Sequence, residues 1–379
     1  MRRILISLAL PVLLAAGGVA SAGHDELRIG ALIPHTGMAA SVGPEIKAGI
    51  DYVLAAAGYQ VGGRKIVLID EDETDNPATA VAKARKLVEG DEVDVIIGPM
   101  LAHSSAAVAP YLARNGVPHL PWGMADKPVS SNAIFTAGTG VGNAYIAGQF
   151  AGRELKRKRA ALLNMDYALG HQMRDGFTEG FKAAGGTIVS SQLLPIGTSD
   201  LAPYFEGLKD ADLLAVLLVN PTDFAFTRQY REFGLKMPVI FISSQPQEEP
   251  LLQQMGKDVV GMYGVTMYGP AIDSPENRLF VGRFQDKFRT RPGIATVHAG
   301  YWTTAMVLTA AQASGRQSGR AEIGAALAKI HDLDTPAGKL SINKDRMGIH
   351  DVYVFQAGKN ADRYVWNVVK RYPAVTPQH

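Results

Sequence analysis

Cysteine is absent from all 379 residues, which excludes disulfides and the lipid-modified cysteine of a bacterial lipoprotein. An excess of one charge is missing too. Of 38 Lys and Arg, Arg2 and Arg3 lie in a 22-residue leader without acidic residues, so the remainder carries 36 basic against 36 acidic side chains. That balance argues against nucleic acid or an anionic membrane surface as partner. Beyond the leader no apolar run is long enough to cross a bilayer. There is no low-complexity stretch, short-period repeat or Pro/Ser-rich linker. No G-x-S-x-G, no H-E-x-x-H and no histidine pair at metal-ligand spacing occurs, so neither metal nor cofactor is expected. An enzyme would need a nucleophile–base pair, and none is visible in the sequence.

The leader itself has three parts. Met1-Arg2-Arg3 is a basic start, 4–19 is almost uniformly apolar, and Ala20-Ser21-Ala22 supplies the small residues that signal peptidase requires. A membrane anchor fits less well, because the apolar run is short and ends in a cleavage-type sequence. The expected product begins at Gly23, is exported, and is soluble in the periplasm. Its 357 residues exceed what one core usually serves, so two domains are expected.

Short Val/Ile/Leu-rich runs alternate with segments of helical period, the mark of a parallel sheet with crossover helices. Strands are expected at 27–33, 65–70, 93–98, 117–121, 133–137, 160–164, 187–194, 213–219 and 239–243. Asn76-Pro77 opens a helix with Asn as cap and Pro in the first turn, and Gly90 closes it. Two blocks of this pattern, 23–140 and 141–270, each suit one doubly wound lobe. Long helices are expected over 275–289 and 296–314 and a third over 321–330, with a closing hairpin from 350–356 and 364–369.

Few residues suggest chemistry. The carboxylate run from Asp70 to Asp75 lacks the glycine and distal glutamate of a calcium loop, and reads as a solvated strand-to-helix connection. Gly138-Thr139-Gly140-Val141-Gly142 misses the third glycine of a dinucleotide fingerprint, which falls on Asn143, and reads as a flexible lobe crossing. His103-Ser104-Ser105 follows a strand end and starts a helix, where ligands bind in such sheets. The competing role is helix capping by Ser104 or Ser105.

In order along the chain, Leu27-Arg28-Ile29-Gly30, 34–43, 70–77, Ile97-Gly98-Pro99 through Ser105, 116–123, 164–170 and Tyr301 resemble the periplasmic solute-binding proteins of the branched-chain amino-acid type, which feed ABC importers. The resemblance implies an α/β fold of two Rossmann-like lobes joined by hinge crossings, the type I periplasmic binding protein architecture. It implies a first lobe of 23–140 plus 271–343, a second of 141–270 plus 344–379, and a ligand trapped in the cleft between them. It also implies a monomer that docks on a membrane permease and catalyses nothing.

Where the resemblance places the amino-acid anchors, this chain departs. The carboxylate-holding Ser or Thr positions read Ala102 and Ala125, the ammonium-pairing aspartate is Val141, a tyrosine is replaced by Leu169, and no acidic residue stands at 243–245. A buried ammonium without its carboxylate costs roughly 3 to 5 kcal/mol, more than two decades of affinity. An α-amino acid is therefore disfavoured unless Asp126, Asp166 or Asp223 substitutes. Trp122, Met124, Val141, Tyr145, Tyr167, Leu169 and Phe224 supply an apolar, aromatic wall, with Gly123 beside it and His103, Ser104, Asn220 and Gln245 for polar contact. The set suits a flat, partly apolar molecule bearing a carboxylate or amide, and is similar to the aromatic-acid-binding branch of the family. The alternative is an exported sensor of the same fold for amides or branched-chain amino acids.

Overall fold

Strands that are apolar on both faces need a helical layer on each side, and the chain provides it. The computed structural model describes residues 25–122, 133–134, 140–242 and 249–376; the leader lies outside them. In order come β1 (Glu26–Ile33), α1 (Gly43–Ala56), β2 (Gln60–Val61), β3 (Arg64–Asp72), α2 (Pro77–Arg85), β4 (Val95–Ile97), α3 (Ala102–Arg114) and β5 (His119–Leu120). They build a sheet of order β2-β3-β1-β4-β5, parallel except for β2. Of the strand expected at 133–137, Ala133 forms an isolated bridge to His119, and 135–137 lie outside the described residues.

The second block runs α4 (Gly140–Arg153), β6 (Arg159–Met165), α5 (Ala168–Ala183), β7 (Thr187–Leu194), α6 (Ala202–Phe205), β8 (Leu213–Leu217), α7 (Thr222–Glu232), β9 (Val239–Phe241), α8 (Glu249–Met255) and β10 (Tyr263–Thr266). Then follow α9 (Pro275–Phe288), α10 (Thr303–Ser314), α11 (Arg320–Leu327), β11 (Leu333–Thr335), β12 (Gly338–Ile342), β13 (Gly348–Asn360) and β14 (Arg363–Val375). The second sheet has the order β11-β12-β13-β10-β9-β8-β6-β7, with β14 on β13. The β6–β10 strands are parallel, and β13 enters antiparallel to β10.

Local signals explain the boundaries. Asn76 caps α2 by accepting from the N–H groups of Ala78 and Thr79 at 2.8 and 3.4 Å. The helix continues through a π-helical turn, Lys86–Gly90, to the expected stop. The helix expected over 296–314 instead starts as a π-helical stretch, Thr296–Trp302, before α10. Thr304 donates its hydroxyl to Gly300 O at 2.7 Å where the two join.

The segment after β10 packs back on α1. Gly49 and Gly300 let the two helices touch backbone to backbone: a Cβ on Gly49 would stand 2.1 Å from Thr296 O, and one on Gly300 2.4 Å from Ile46 O. Tyr52 meets Phe280 edge to face at 4.9 Å. The expected lobe division at 343 falls between β12 and β13, which pair across it through Ser341–Ile349 and Ile342–Gly348.

Candidate functional site

Parallel strands point their carboxyl ends the same way, so the loops after β1, β3, β4 and β5 gather at one edge of the first sheet, as do those after β6, β8 and β9 in the second. Ligands of open α/β sheets bind at such edges.

The acidic run holds this edge together. Asp72 accepts from the His35 N–H (2.9 Å), the Thr36 hydroxyl (2.6 Å) and the Thr74 N–H (3.0 Å). Partial burial opposes ionisation, but these bonds outweigh it and bring the carboxyl down to about 2. Asp75 takes the Met38 N–H at 2.8 Å, and Glu71 pairs with Lys83 at 2.7 Å. Glu73 overturns the solvated-loop expectation, for it is fully buried. It accepts from the N–H groups of Met100 and Leu101 at 2.8 and 3.1 Å. Burial pushes its pKa up to about 7, against the pull of those two N–H groups and the Ser104 hydroxyl.

Glu73 thus anchors the loop that begins α3. Ser104 is buried beside it, whereas His103 is exposed at the helix start. Neither serine caps the helix: its N-cap is Leu101, which makes no side-chain cap bond, and the Ser105 hydroxyl donates back to Pro99 O at 3.3 Å. The capping alternative is set aside, and Glu73 takes instead the N–H groups of Met100 and Leu101, just before the first helical residue.

Trp122 follows β5 and is half-buried, its N–H bonded to Pro99 O at 3.0 Å. Its indole Nε1–H donates to Nδ1 of buried His298 in the π-helical stretch, with the rings 5.6 Å apart edge to face. Burial, reinforced by nearby His350, holds the His298 pKa well below its usual value. A neutral ring that accepts at Nδ1 carries its proton on Nε2.

In the second block, Tyr167 is the N-cap residue of α5, and Tyr167 and Leu169 are half-buried against the core. Asn220 is exposed and Phe224 half-buried in the first turn of α7. Between them Thr222 and Asp223 are fully buried, and Thr222 Oγ1 and Asp223 Oδ2 have no hydrogen-bond partner among the described residues. Asp223 Oδ1 accepts the Phe224 N–H at 2.9 Å, while burial pushes the carboxyl up to about 6. Asp166, the other substitute counter-charge, is exposed and paired with His171 at 2.8 Å. Val141 and Tyr145 lie on α4 where it presses on α5. The Val141 carbonyl is 2.6 Å from where a Cβ on Gly176 would sit, and the Tyr145 carbonyl 2.1 Å from one on Gly180. Gly123, Met124, Asp126 and Gln245, and most of the expected crossing at 138–142, fall outside the described residues or have no described side chain.

The candidates therefore fall on two sets of strand ends, one in each sheet. One carries Ser104, His103 and Trp122; the other carries Tyr167, Leu169, Asn220 and Phe224. Sequence reasoning missed Glu73 and His298. The only sequence signal for Glu73 was its place in the carboxylate run, and His298 had none.

Comparison with known proteins gives the family. The periplasmic binding protein family matches residues 26–362. The "Leu/Ile/Val-binding protein homolog 6" of Brucella abortus is 26% identical over 373 residues, covering 95% of each chain. Among solved structures, an ABC transporter substrate-binding protein from Sphaerobacter thermophilus superposes with a TM-score of 0.88 at 28% identity, over 93% of this chain and 99% of its own. A solute-binding protein of an ABC transporter from Rhodopseudomonas palustris BisB5, in complex with 3,4-dihydroxy benzoic acid, gives 0.82 at 28% identity with the same coverage. Another from R. palustris, in complex with 4-hydroxybenzoate, gives 0.83 at 25%, over 93% and 98%. This chain belongs to the periplasmic binding protein family and is a solute-binding protein of the ABC-transporter type.

Proposed function

We propose that the chain captures a small aromatic carboxylate in the cleft between its two sets of strand ends and delivers it, from the periplasm, to an ABC permease. The observation that carries the reading is the make-up of the two walls. Trp122 follows a strand end of the first sheet, Tyr167 and Phe224 follow strand ends of the second, and Val141 stands where the resemblance calls for the ammonium-pairing aspartate. Flat solutes gain most from such walls, because aromatic contacts add roughly 0.5–1.5 kcal/mol beyond area burial. Two relatives of the same architecture that hold hydroxylated benzoates support the class. Capture would follow the hinge closure of two-lobed binding proteins. No covalent step is involved, and the protein acts by reversible binding.

One observation favours a second reading. Asp223 is buried at the strand end with Oδ2 unpartnered among the described residues, a counter-charge suited to an ammonium group, which would turn the cleft toward amino acids. Mass spectrometry of solutes retained by gently purified protein separates the two. Recovery of a benzoate-type acid supports the first reading; recovery of leucine, isoleucine or valine overturns it.

A further inference from the structure

Beside β10 two cavities adjoin, one of about 420 Å³ and one of about 260 Å³. Both are lined by Glu249, Thr266, Tyr268, Gly269, Pro270 and Arg291, so they form one crevice. None of the strand-end candidates lines it. Its combined size suits a small organic molecule.

The two compartments differ in chemistry. The larger is cationic: Arg289 and Arg291 reach it from the segment after α9, and Arg363 from β14, against Glu45 and Glu249. Glu249 pairs with Arg291 at 3.3 Å and with Arg363. Arg289 has no ion-pair partner among the described residues, so three cations face two carboxylates. Burial pushes the Glu45 carboxyl up. The smaller compartment is aromatic, walled by Phe355, Tyr364 and Trp366.

Two buried polar atoms in the lining are unused. Among the described residues, Thr266, 1% exposed, has no partner for its hydroxyl, and Trp366, 7% exposed, has none for its indole N–H. Buried donors without partners are uncommon and need a reason. A bound ligand supplies one.

We propose that this crevice is a second binding site, separate from the strand-end cleft, for a small flat aromatic monoanion, its ring among Phe355, Tyr364 and Trp366 and its charge toward Arg289 and Arg291. The Thr266 hydroxyl and the Trp366 N–H then donate to its polar substituents. The residues come from both blocks of the chain, since Arg289 and Arg291 follow a helix packed on α1 while Glu249, Thr266 and Trp366 belong to the second sheet and its helix. An occupant therefore touches both sides of the hinge region.

The chain has three tryptophans: Trp122 at the cleft, Trp302 in the core and Trp366 in the crevice. Labelling with 5-fluorotryptophan gives each its own ¹⁹F signal, assigned by Trp→Phe variants of the full chain. Titration with benzoate should shift the Trp366 signal saturably, with a midpoint distinct from that of Trp122, while neutral benzamide leaves Trp366 unmoved. Arg291→Gln and, separately, Arg289→Gln should raise the Trp366 midpoint about tenfold without changing that of Trp122. A still Trp366 signal at concentrations that saturate Trp122 overturns the second site and leaves the cleft reading intact. A Trp366 midpoint indifferent to both arginine substitutions, or equal for benzamide, overturns it as well. A moving Trp366 beside a still Trp122 counts instead against the cleft reading.

Discussion

Trp122 and His298, 176 positions apart, are joined by a hydrogen bond from the indole Nε1–H to the imidazole Nδ1. The bond ties the tryptophan after β5 to a helix that touches α1 at the Gly49–Gly300 contact. It also requires a neutral imidazole, which burial enforces.

Replacing Trp122 by Phe keeps a ring but leaves a buried acceptor unpaired, which costs roughly 1–3 kcal/mol of folding stability. Trp122→Ala should in addition lose on the order of 1 to 3 kcal/mol of ligand binding, as aromatic anchors do. Urea denaturation beside calorimetry separates the two effects. Unchanged affinity in the alanine variant would remove Trp122 from the site.

Glu73 predicts a pH dependence. Its carboxyl rises from an ordinary 4.5 to about 7 in the folded chain, so between those values the folded state keeps a proton that the unfolded state has released. The stability this contributes is complete below pH 4.5 and is lost as pH rises through 7. Against Glu73→Gln, which does not titrate, the wild type should lose up to roughly 3 kcal/mol of relative stability from pH 4.5 to 7. A difference that stays flat across that range would show that the carboxyl is not desolvated as described.

Buried His119, brought down to about 4 by desolvation, acts with the opposite sign. It is neutral when folded, so its contribution is present above pH 6.5 and is lost as pH falls toward 4. His119→Gln should therefore flatten the acid limb of the stability profile, measured by denaturation between pH 4 and 6.5. An unchanged acid limb would contradict it.

Asp223→Asn discriminates the two ligand classes. For a carboxylate ligand, removal of a negative charge from the wall should leave affinity unchanged or improve it. For an ammonium ligand the loss should be on the order of 2 to 5 kcal/mol, the cost of stranding a buried charge. Paired titrations of the variant with 4-hydroxybenzoate and leucine give the answer.

The close helix contact makes a simple structural prediction. Gly300→Ala places a Cβ about where the Ile46 carbonyl stands, and overpacking of this kind typically costs 1–3 kcal/mol. Thermal denaturation reads it directly, and a neutral outcome would mean that α1 shifts freely.

Much of the fold was legible because its signals are local. The strand expected at 187–194 matches β7, and Asn76-Pro77 marks a helix start through bonds made within three residues. Short strands escaped: β10, β11 and β12 span three to five residues each, too few to show a period. The closing hairpin is longer than expected because its polar tip, Ala357 to Arg363, pairs on through Asn360–Arg363. The site was legible only as strand ends. Glu73 is buried while Asp70, in the same run, is exposed, and the left-handed backbone of Thr74, φ 51°, follows directly. A run of carboxylates does not announce which member is buried, and Trp122–His298 is set by tertiary packing alone.

The central claim is that the cleft takes an aromatic carboxylate in preference to an α-amino acid. Isothermal titration calorimetry of one preparation with 4-hydroxybenzoate and with leucine tests it most directly. Saturable binding of the benzoate that is weakened by Trp122→Ala is expected, with leucine weaker by more than two decades, since an ammonium at Val141 meets no carboxylate. Micromolar leucine binding with no heat from the benzoate would contradict the account and return the protein to amino-acid capture.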